Sequence, residues 1–189
     1  MTPAEQHAQD AALFAEIAAS ASASDWDRPS PVAGWTARDV VAHLVEWLPD
    51  FLERADITLP PVSIGDDPAA AWDQRAADVQ ALLDEQSDRR FESPMFGVTT
   101  VGAILAQIYI NDIWMHSWDL ARALGQDIDL GEQRCADALV GMEPMDDVLR
   151  QSGQFGPRIP VPEDAPAQDR LVGFIGRDPG WPAQDAAAR

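Results

Sequence analysis

Apolar side chains recur along this chain mostly at three- and four-residue intervals, the spacing that gathers them on one face of an α-helix. Leu13, Phe14 and Ile17 follow that spacing and predict a first helix from residue 4 to about 22. Pro29, Pro31 and Gly34 then interrupt helical continuity between Ser24 and Trp35. Thr36 followed by Asp39 reads as a capping box with Asp in place of the usual Glu, and it predicts a second helix to about Arg54. The apolar face of that helix holds Val40, Leu44, Trp47, Leu48 and Phe51, and the run Thr58-Leu59-Pro60-Pro61 closes the region. A third helix over about Pro68 to Ser87 uses Trp72, Ala76, Val79 and Leu83, and Phe91 to Val98 reads as irregular or as a short strand. Helical spacing returns from Thr100 to Leu124, stopped by Gly125, and again from Glu132 to Gln151. The tail over 152–189 is rich in Pro and Gly from Phe155 to Trp181 and carries one short helix near Ala167 to Ile175. Strand signals are scarce, so the pattern predicts an all-α fold. We expect one antiparallel helix bundle over 1–189, with the tail packed on it as an added helical and irregular segment.

Two histidines stand out against this pattern. His43 lies at the edge of the second helix's apolar face, beside Val40 and Trp47, and His116 lies in the fourth helix with Asp112 four residues upstream. Positions four apart on a helix point the same way. At about 100° per residue, Asp112, His116 and Asp119 share one side of the fourth helix with Val101, Leu105 and Ala123. A carboxylate on a core-type face needs a partner. Asp112 and His116 can grip one metal ion from one helix, and His43 can add a third ligand from a neighbouring helix. Asp119 can hold a ligand imidazole from behind, or take a backbone N–H or an arginine instead. The rest of the fourth helix is also apolar, through Ile104, Ile113, Trp114 and Trp118. Such a helix is central, or part of a subunit interface, and a homodimer is one way to bury Trp114 and Trp118.

The residues alone leave other readings open. A histidine at an apolar helix edge is commonly structural, and an Asp-x-x-x-His pair is commonly an intrahelical hydrogen bond. Trp47, Trp114 and Trp118 serve first as packing residues, with Trp47 a candidate pocket wall. Cys135 reads as an ordinary buried thiol.

Composition narrows the function classes. The chain has 189 residues, 46% of them hydrophobic, enough to bury roughly 70% of the unfolded surface in one domain. All 13 basic residues are Arg, against 32 acidic ones, for a net charge of −19. That surface repels phosphate backbones and anionic membranes, so neither nucleic acid nor membrane is expected as a partner. The single cysteine, Cys135, excludes an internal disulfide framework and suits a reducing cytoplasm. The N-terminal residues show no basic and then apolar signal pattern, and no apolar run has the length of a membrane span. The chain has no CxxC, and Gly97 to Gly102 lacks the spacing and the Lys of a phosphate loop. With His43 and His116 assigned to metal, only His7 remains as a general base, so a Ser-His-Asp or Cys-His site has little support.

Three stretches resemble one known family. Ser30-Pro31-Val32-Ala33-Gly34-Trp35-Thr36-Ala37-Arg38-Asp39-Val40-Val41-Ala42-His43-Leu44 is similar to the N-terminal signature of the DinB-like superfamily. It looks most like the branch related to mycothiol-dependent maleylpyruvate isomerase. His116-Ser117-Trp118-Asp119-Leu120-Ala121-Arg122-Ala123-Leu124-Gly125 resembles that branch's second signature, and Gly176-Arg177-Asp178-Pro179-Gly180-Trp181 resembles the close of its short actinobacterial members. The resemblance implies a four-helix bundle that binds a divalent metal, commonly zinc or nickel, through His43, His116 and the acidic residue four before it. The branch typically has Glu there; this chain has Asp112, an oxygen ligand of shorter reach. It also has Val32 where Cys is frequent, and a short tail in place of a sizeable C-terminal domain.

Two histidines and a carboxylate leave a tetrahedral metal one open position, as catalytic sites do. A low-molecular-weight thiol could fill it, with mycothiol the cosubstrate that the resemblance implies, and attack a small electrophilic substrate as a thiolate. The leading expectation is a metal-dependent thiol transferase or isomerase. The alternatives are a non-catalytic, oligomeric metal-binding protein and a metal-dependent hydrolase.

Overall fold

The capping box forms as the sequence predicts. Thr36 accepts from the Asp39 N–H, and the Asp39 carboxylate accepts from the Thr36 N–H at 2.8 Å. It opens α2 (Ala37–Glu53). In this computed structural model, which describes every residue except Met95, Ser152, Gln154 and 182–189, α2 follows α1 (Pro3–Ala19) and precedes α3 (Pro68–Gln86). Thr2 with Glu5 forms a second capping box, on α1, and Asp67 caps α3 through the Ala70 N–H. A two-stranded antiparallel hairpin, β1 (Arg90–Ser93) and β2 (Gly97–Thr100), comes next and pairs Phe91 with Thr99. α4 (Val101–Leu105), a π turn over Ala106–Ile110 and α5 (Asn111–Ala123) then form one long helical stretch. The molecule is predominantly helical. α1 lies against α3 and α5, and α2 lies against the same two helices. Leu44, Leu48, Val79, Leu83, Ile110 and Ile113 are among the side chains buried between them.

Two irregularities in this core face each other. Pro49 lies inside α2 and has no N–H to return to the Val45 carbonyl. The buried Arg75 of α3 supplies the missing donor, its Nε bonding that oxygen at 3.0 Å. The neighbouring Leu44 carbonyl accepts from the Tyr109 hydroxyl at 3.0 Å. Tyr109 belongs to the π turn, so the distortion of one helix reaches the distortion of the other. The turn also corrects the simple helical projection. A uniform step of about 100° puts Val101 and Leu105 beside Asp112, but a π turn offsets everything upstream by about one residue's rotation. Asp112, His116 and Asp119 all lie beyond it, on regular α-helix.

A second group of buried side chains covers the other side of α5. α6 (Glu132–Met142) and α8 (Ala167–Phe174) pack on each other and enclose Trp114, Trp118, Leu130, Cys135, Leu139, Leu171 and Phe174. Trp114 and Trp118 keep only 2% and 4% of their surface. The chain's own C-terminal part therefore covers the two tryptophans that suggested a partner subunit. The single helix expected over 132–151 is broken instead: α6 ends at Met142, a 3₁₀ turn spans Glu143–Met145, and α7 covers Asp146–Gln151. Pro144 in that turn lacks the N–H an uninterrupted helix needs. Of the expected tail, Ser152, Gln154 and 182–189 lie outside the described residues.

Candidate metal centre

The loop before α2 aims a tryptophan at both histidines. Ser30 donates its N–H to the Trp35 carbonyl at 2.8 Å, and Trp35 donates its own to Val32 at 3.0 Å. Gly34, at φ 80°, supplies the left-handed step this tight turn requires. The Trp35 ring comes to rest 5.1 Å from the His43 ring and 5.8 Å from the His116 ring, nearly parallel to the latter at 18°. Helical periodicity gives no sign of this contact, because it joins a loop residue to α5.

α2 and α5 bring His43, Asp112 and His116 together. The two imidazoles lie 5.0 Å apart, centre to centre. His43 Nε2 is 3.0 Å from one oxygen of Asp112, and His116 Nε2 is 3.5 Å from the other. One ligand-type atom from each of the three residues lies within 4.8 Å of the other two. Trp47, one helical turn after His43, also donates its indole N–H to Asp112 at 3.1 Å. Sequence spacing suggested Trp47 as a pocket wall; the structure adds this hydrogen bond. The His43 side chain remains 31% exposed whereas His116 is 7% exposed, so the group has an open side and a closed side.

On the closed side, His116 Nδ1 is 2.8 Å from Asp119, which is fully buried. Arg177 meets the same carboxylate, with Nη2 at 3.1 Å and Nε at 3.3 Å. Of the three partners the sequence left open for Asp119, the imidazole and the arginine are present at once. Burial pushes the Asp119 carboxyl upward, but the Arg177 charge, the His116 hydrogen bond and the His116 charge outweigh it and hold it below the ordinary carboxylate range. Asp112 behaves alike. Burial raises it, and the His116 charge, the His43 bond and charge and the Trp47 N–H together bring it below its ordinary value. Asp112 is therefore an anion at neutral pH, shared by two rings and an indole.

Other candidates fall elsewhere. Cys135 is buried among the second group of apolar side chains, and burial, with Glu132 and Asp129 nearby, pushes its thiol up to about 11. His7 is buried against Gln80 at 2.7 Å and stacks toward Tyr109. Three contributors were invisible to spacing arguments: Trp35, Tyr109 and Arg177. The only available sign of Arg177 was its place in the Gly-Arg-Asp-Pro run.

Residues 7–56, which carry α2 and His43, match the family described as mycothiol maleylpyruvate isomerase N-terminal domain. Two proteins of Mycobacterium tuberculosis, from strains CDC 1551 / Oshkosh and ATCC 25618 / H37Rv and both described as uncharacterized, are each 30% identical to this chain over 183 residues. Each alignment covers 92% of this chain and 96% of the relative. The chain belongs to the mycothiol maleylpyruvate isomerase N-terminal domain family. The family match ends before Asp112, His116 and Asp119, whereas the alignment with the mycobacterial relatives extends over nearly the whole chain. No solved structure matches this family member. Among the described residues, no helix is long and apolar enough to cross a membrane.

Proposed function

We propose that this protein is a divalent-metal-dependent thiol transferase or isomerase that presents a low-molecular-weight thiol to a small electrophile. The observation that carries the reading is the convergence of His43, Asp112 and His116, with one candidate ligand atom from each inside 4.8 Å. Tetrahedral ligands at about 2.0–2.1 Å from a zinc ion are about 3.3 Å apart, close to the 3.0 and 3.5 Å separations of Asp112 from the two rings. Two imidazole nitrogens and one carboxylate oxygen suit zinc or nickel. The residues therefore fit a metal, with His43 and His116 presenting Nε2 and Asp112 supplying charge. We read the packing of α1, α2, α3 and α5 as the antiparallel four-helix bundle of DinB-like proteins, the tail completing a single domain.

When bound, the metal would lower the pKa of a thiol in its open position. The chain's own residues support that chemistry in three ways. Its single thiol, Cys135, is buried and held protonated, so a thiolate nucleophile has to come from outside. Trp35 and Trp47 flank His43 and put aromatic rings beside its exposed side. Phe51 meets Trp47 and Phe96 over the buried Phe91, and these half-buried rings give an aromatic edge that suits a small organic electrophile. The family's name supports mycothiol as the thiol, and the single cysteine suits the reducing cytoplasm as the compartment.

The test starts from tag-free protein analysed for bound zinc and nickel. Thiol binding is then followed by calorimetry, with turnover of an electrophile measured with and without the thiol. Turnover that requires the thiol is the expected result. Metal binding without turnover marks a non-catalytic metal protein, and turnover without thiol marks a hydrolase; either result replaces the proposal.

A further inference from the structure

We propose that Arg177 is a positioning residue for this centre: seated by the C-terminal segment, it holds Asp119 in place and, through Asp119, turns His116 so that Nε2 faces the site. The inference rests on the metal-site reading above. It starts from the backbone that carries Arg177. α8 closes in a Schellman turn, with the Gly176 N–H on the Gly173 carbonyl at 3.2 Å and the Arg177 N–H on the Val172 carbonyl at 3.0 Å. Gly176 takes the left-handed φ of 88° that this turn demands. A Cβ there would come within 2.8 Å of the Gly156 backbone, so the turn is wedged against an earlier part of the tail.

The side chain is equally committed. Arg177 is 7% exposed, and its Nη1 donates to the Ile175 carbonyl at 2.8 Å. That bond leaves Nε and Nη2 aimed at the two oxygens of Asp119. A surface ion pair would be free to swing; this one is held at both ends.

Asp119 matters because His116 lies between two carboxylates. Asp119 is 2.8 Å from Nδ1, and Asp112 is 3.5 Å from Nε2. A neutral imidazole has one N–H to give. With Asp119 pinned, that N–H stays on Nδ1 and the Nε2 lone pair is left for a ligand. With Asp119 swung away, the N–H is drawn to Nε2 and Asp112, and the lone pair is lost. An arginine from the tail thus selects the metal-binding tautomer of a histidine on α5.

The experiment uses the full chain without a tag and two variants, Arg177→Met and Arg177→Lys. Zinc affinity is measured by competition with a chromophoric chelator. The His116 tautomer is read from ring ¹⁵N NMR of the metal-free protein at a pH where the ring is neutral, and melting temperature reports folding. Arg177→Met should weaken zinc binding about 10–100-fold, the range for removing a group behind a ligand imidazole, and should move the N–H off Nδ1. Arg177→Lys, which keeps the charge but not the paired donors, should fall between and preserves the test if the Met variant does not fold. A folded variant with lower melting temperature but wild-type zinc affinity and wild-type tautomer makes Arg177 only an anchor of the tail, and overturns the proposal. If the wild type binds no zinc, the metal reading fails separately, and the tautomer alone decides: a shift in the variants supports the role of Arg177, and no shift overturns it.

Discussion

At the scale of single residues, the centre turns on one carboxylate. Asp112 is the anion shared by both histidines, so removing its charge should matter more than changing its size. Asp112→Asn is expected to lower metal content per chain, and Asp112→Glu to retain more, as read by elemental analysis and by melting with and without chelator. Equal occupancy in wild type and Asp112→Asn would show that Asp112 is not a necessary ligand. His43→Ala and His116→Ala should lose metal while His7→Ala keeps it. His7 has a different role. Its Nδ1 faces the Gln80 oxygen, whose amide nitrogen is taken by Asp84 and the Ala4 carbonyl, and its buried Nε2 has no hydrogen-bond partner. Burial therefore favours the neutral ring and lowers its pKa below the ordinary value, against the opposing pull of Gln80, Asp10 and Asp84. As pH falls, the unfolded chain takes up this proton first. The stability His7 contributes is complete above about pH 6.5 and drains away below it until the folded ring also titrates. Urea midpoints between pH 7.5 and 5 should show that slope, and His7→Leu should flatten it.

At the scale of elements, the proline inside α2 and the π turn ahead of α5 are tied together through neighbouring carbonyls of α2, taken by Arg75 and Tyr109. Pro49 releases the Val45 carbonyl, and Arg75 satisfies it from α3. Arg75→Met leaves that buried oxygen bare and should cost about 1–3 kcal/mol. If the carbonyl is the reason for Arg75, the loss should shrink in a Pro49→Ala background, where the helix regains its own N–H; a double-mutant cycle in urea measures this coupling. Equal losses in both backgrounds would assign Arg75 to its other contacts, the Pro60 carbonyl at 3.1 Å and Asp78 at 3.5 Å. Tyr109→Phe removes the bond to Leu44 and should cost about 0.5–1.5 kcal/mol by the same measurement.

At the scale of the molecule, the C-terminal part serves as a second wall for α5. Arg134 of α6 stacks 4.2 Å over Trp114 and grips the buried Asp10 of α1 through two bonds of 2.7 Å, joining the last third of the chain to the first helix. Gly173 lets residues 159–161 lie directly on α8, since a Cβ there would sit 2.4 Å from Val161 and 2.7 Å from the Ile159 carbonyl. Gly173→Ala should lift that strap and cost about 1–3 kcal/mol in a thermal melt. Trp114→Ala empties the centre of the second apolar group and should cost about 3–5 kcal/mol. Because both tryptophans are covered within the chain, the Trp114→Ala penalty should not change with protein concentration. A penalty that grows with concentration would show a partner subunit sharing that surface.

Much of this was legible in the chain itself. Local signals have local causes: a Thr-x-x-Asp box satisfies free N–H groups at a helix start, and apolar residues three and four apart can be buried only along one stripe. These placed the helices of the first two-thirds and put Asp112, His116 and Asp119 on one side of α5. The break at Pro144 and the π turn escaped, the first because the apolar pattern was carried through a proline, the second because nothing in a periodic sequence marks where a helix takes an extra residue. The contacts that give the centre its chemistry are of another kind. Trp35 on His116, Trp47 on Asp112 and Arg177 on Asp119 join residues far apart in the chain. Which candidate partners reach a buried carboxylate depends on where whole helices come to rest. Periodicity describes one helix about its own axis, and only packing decides what the next one offers across the gap.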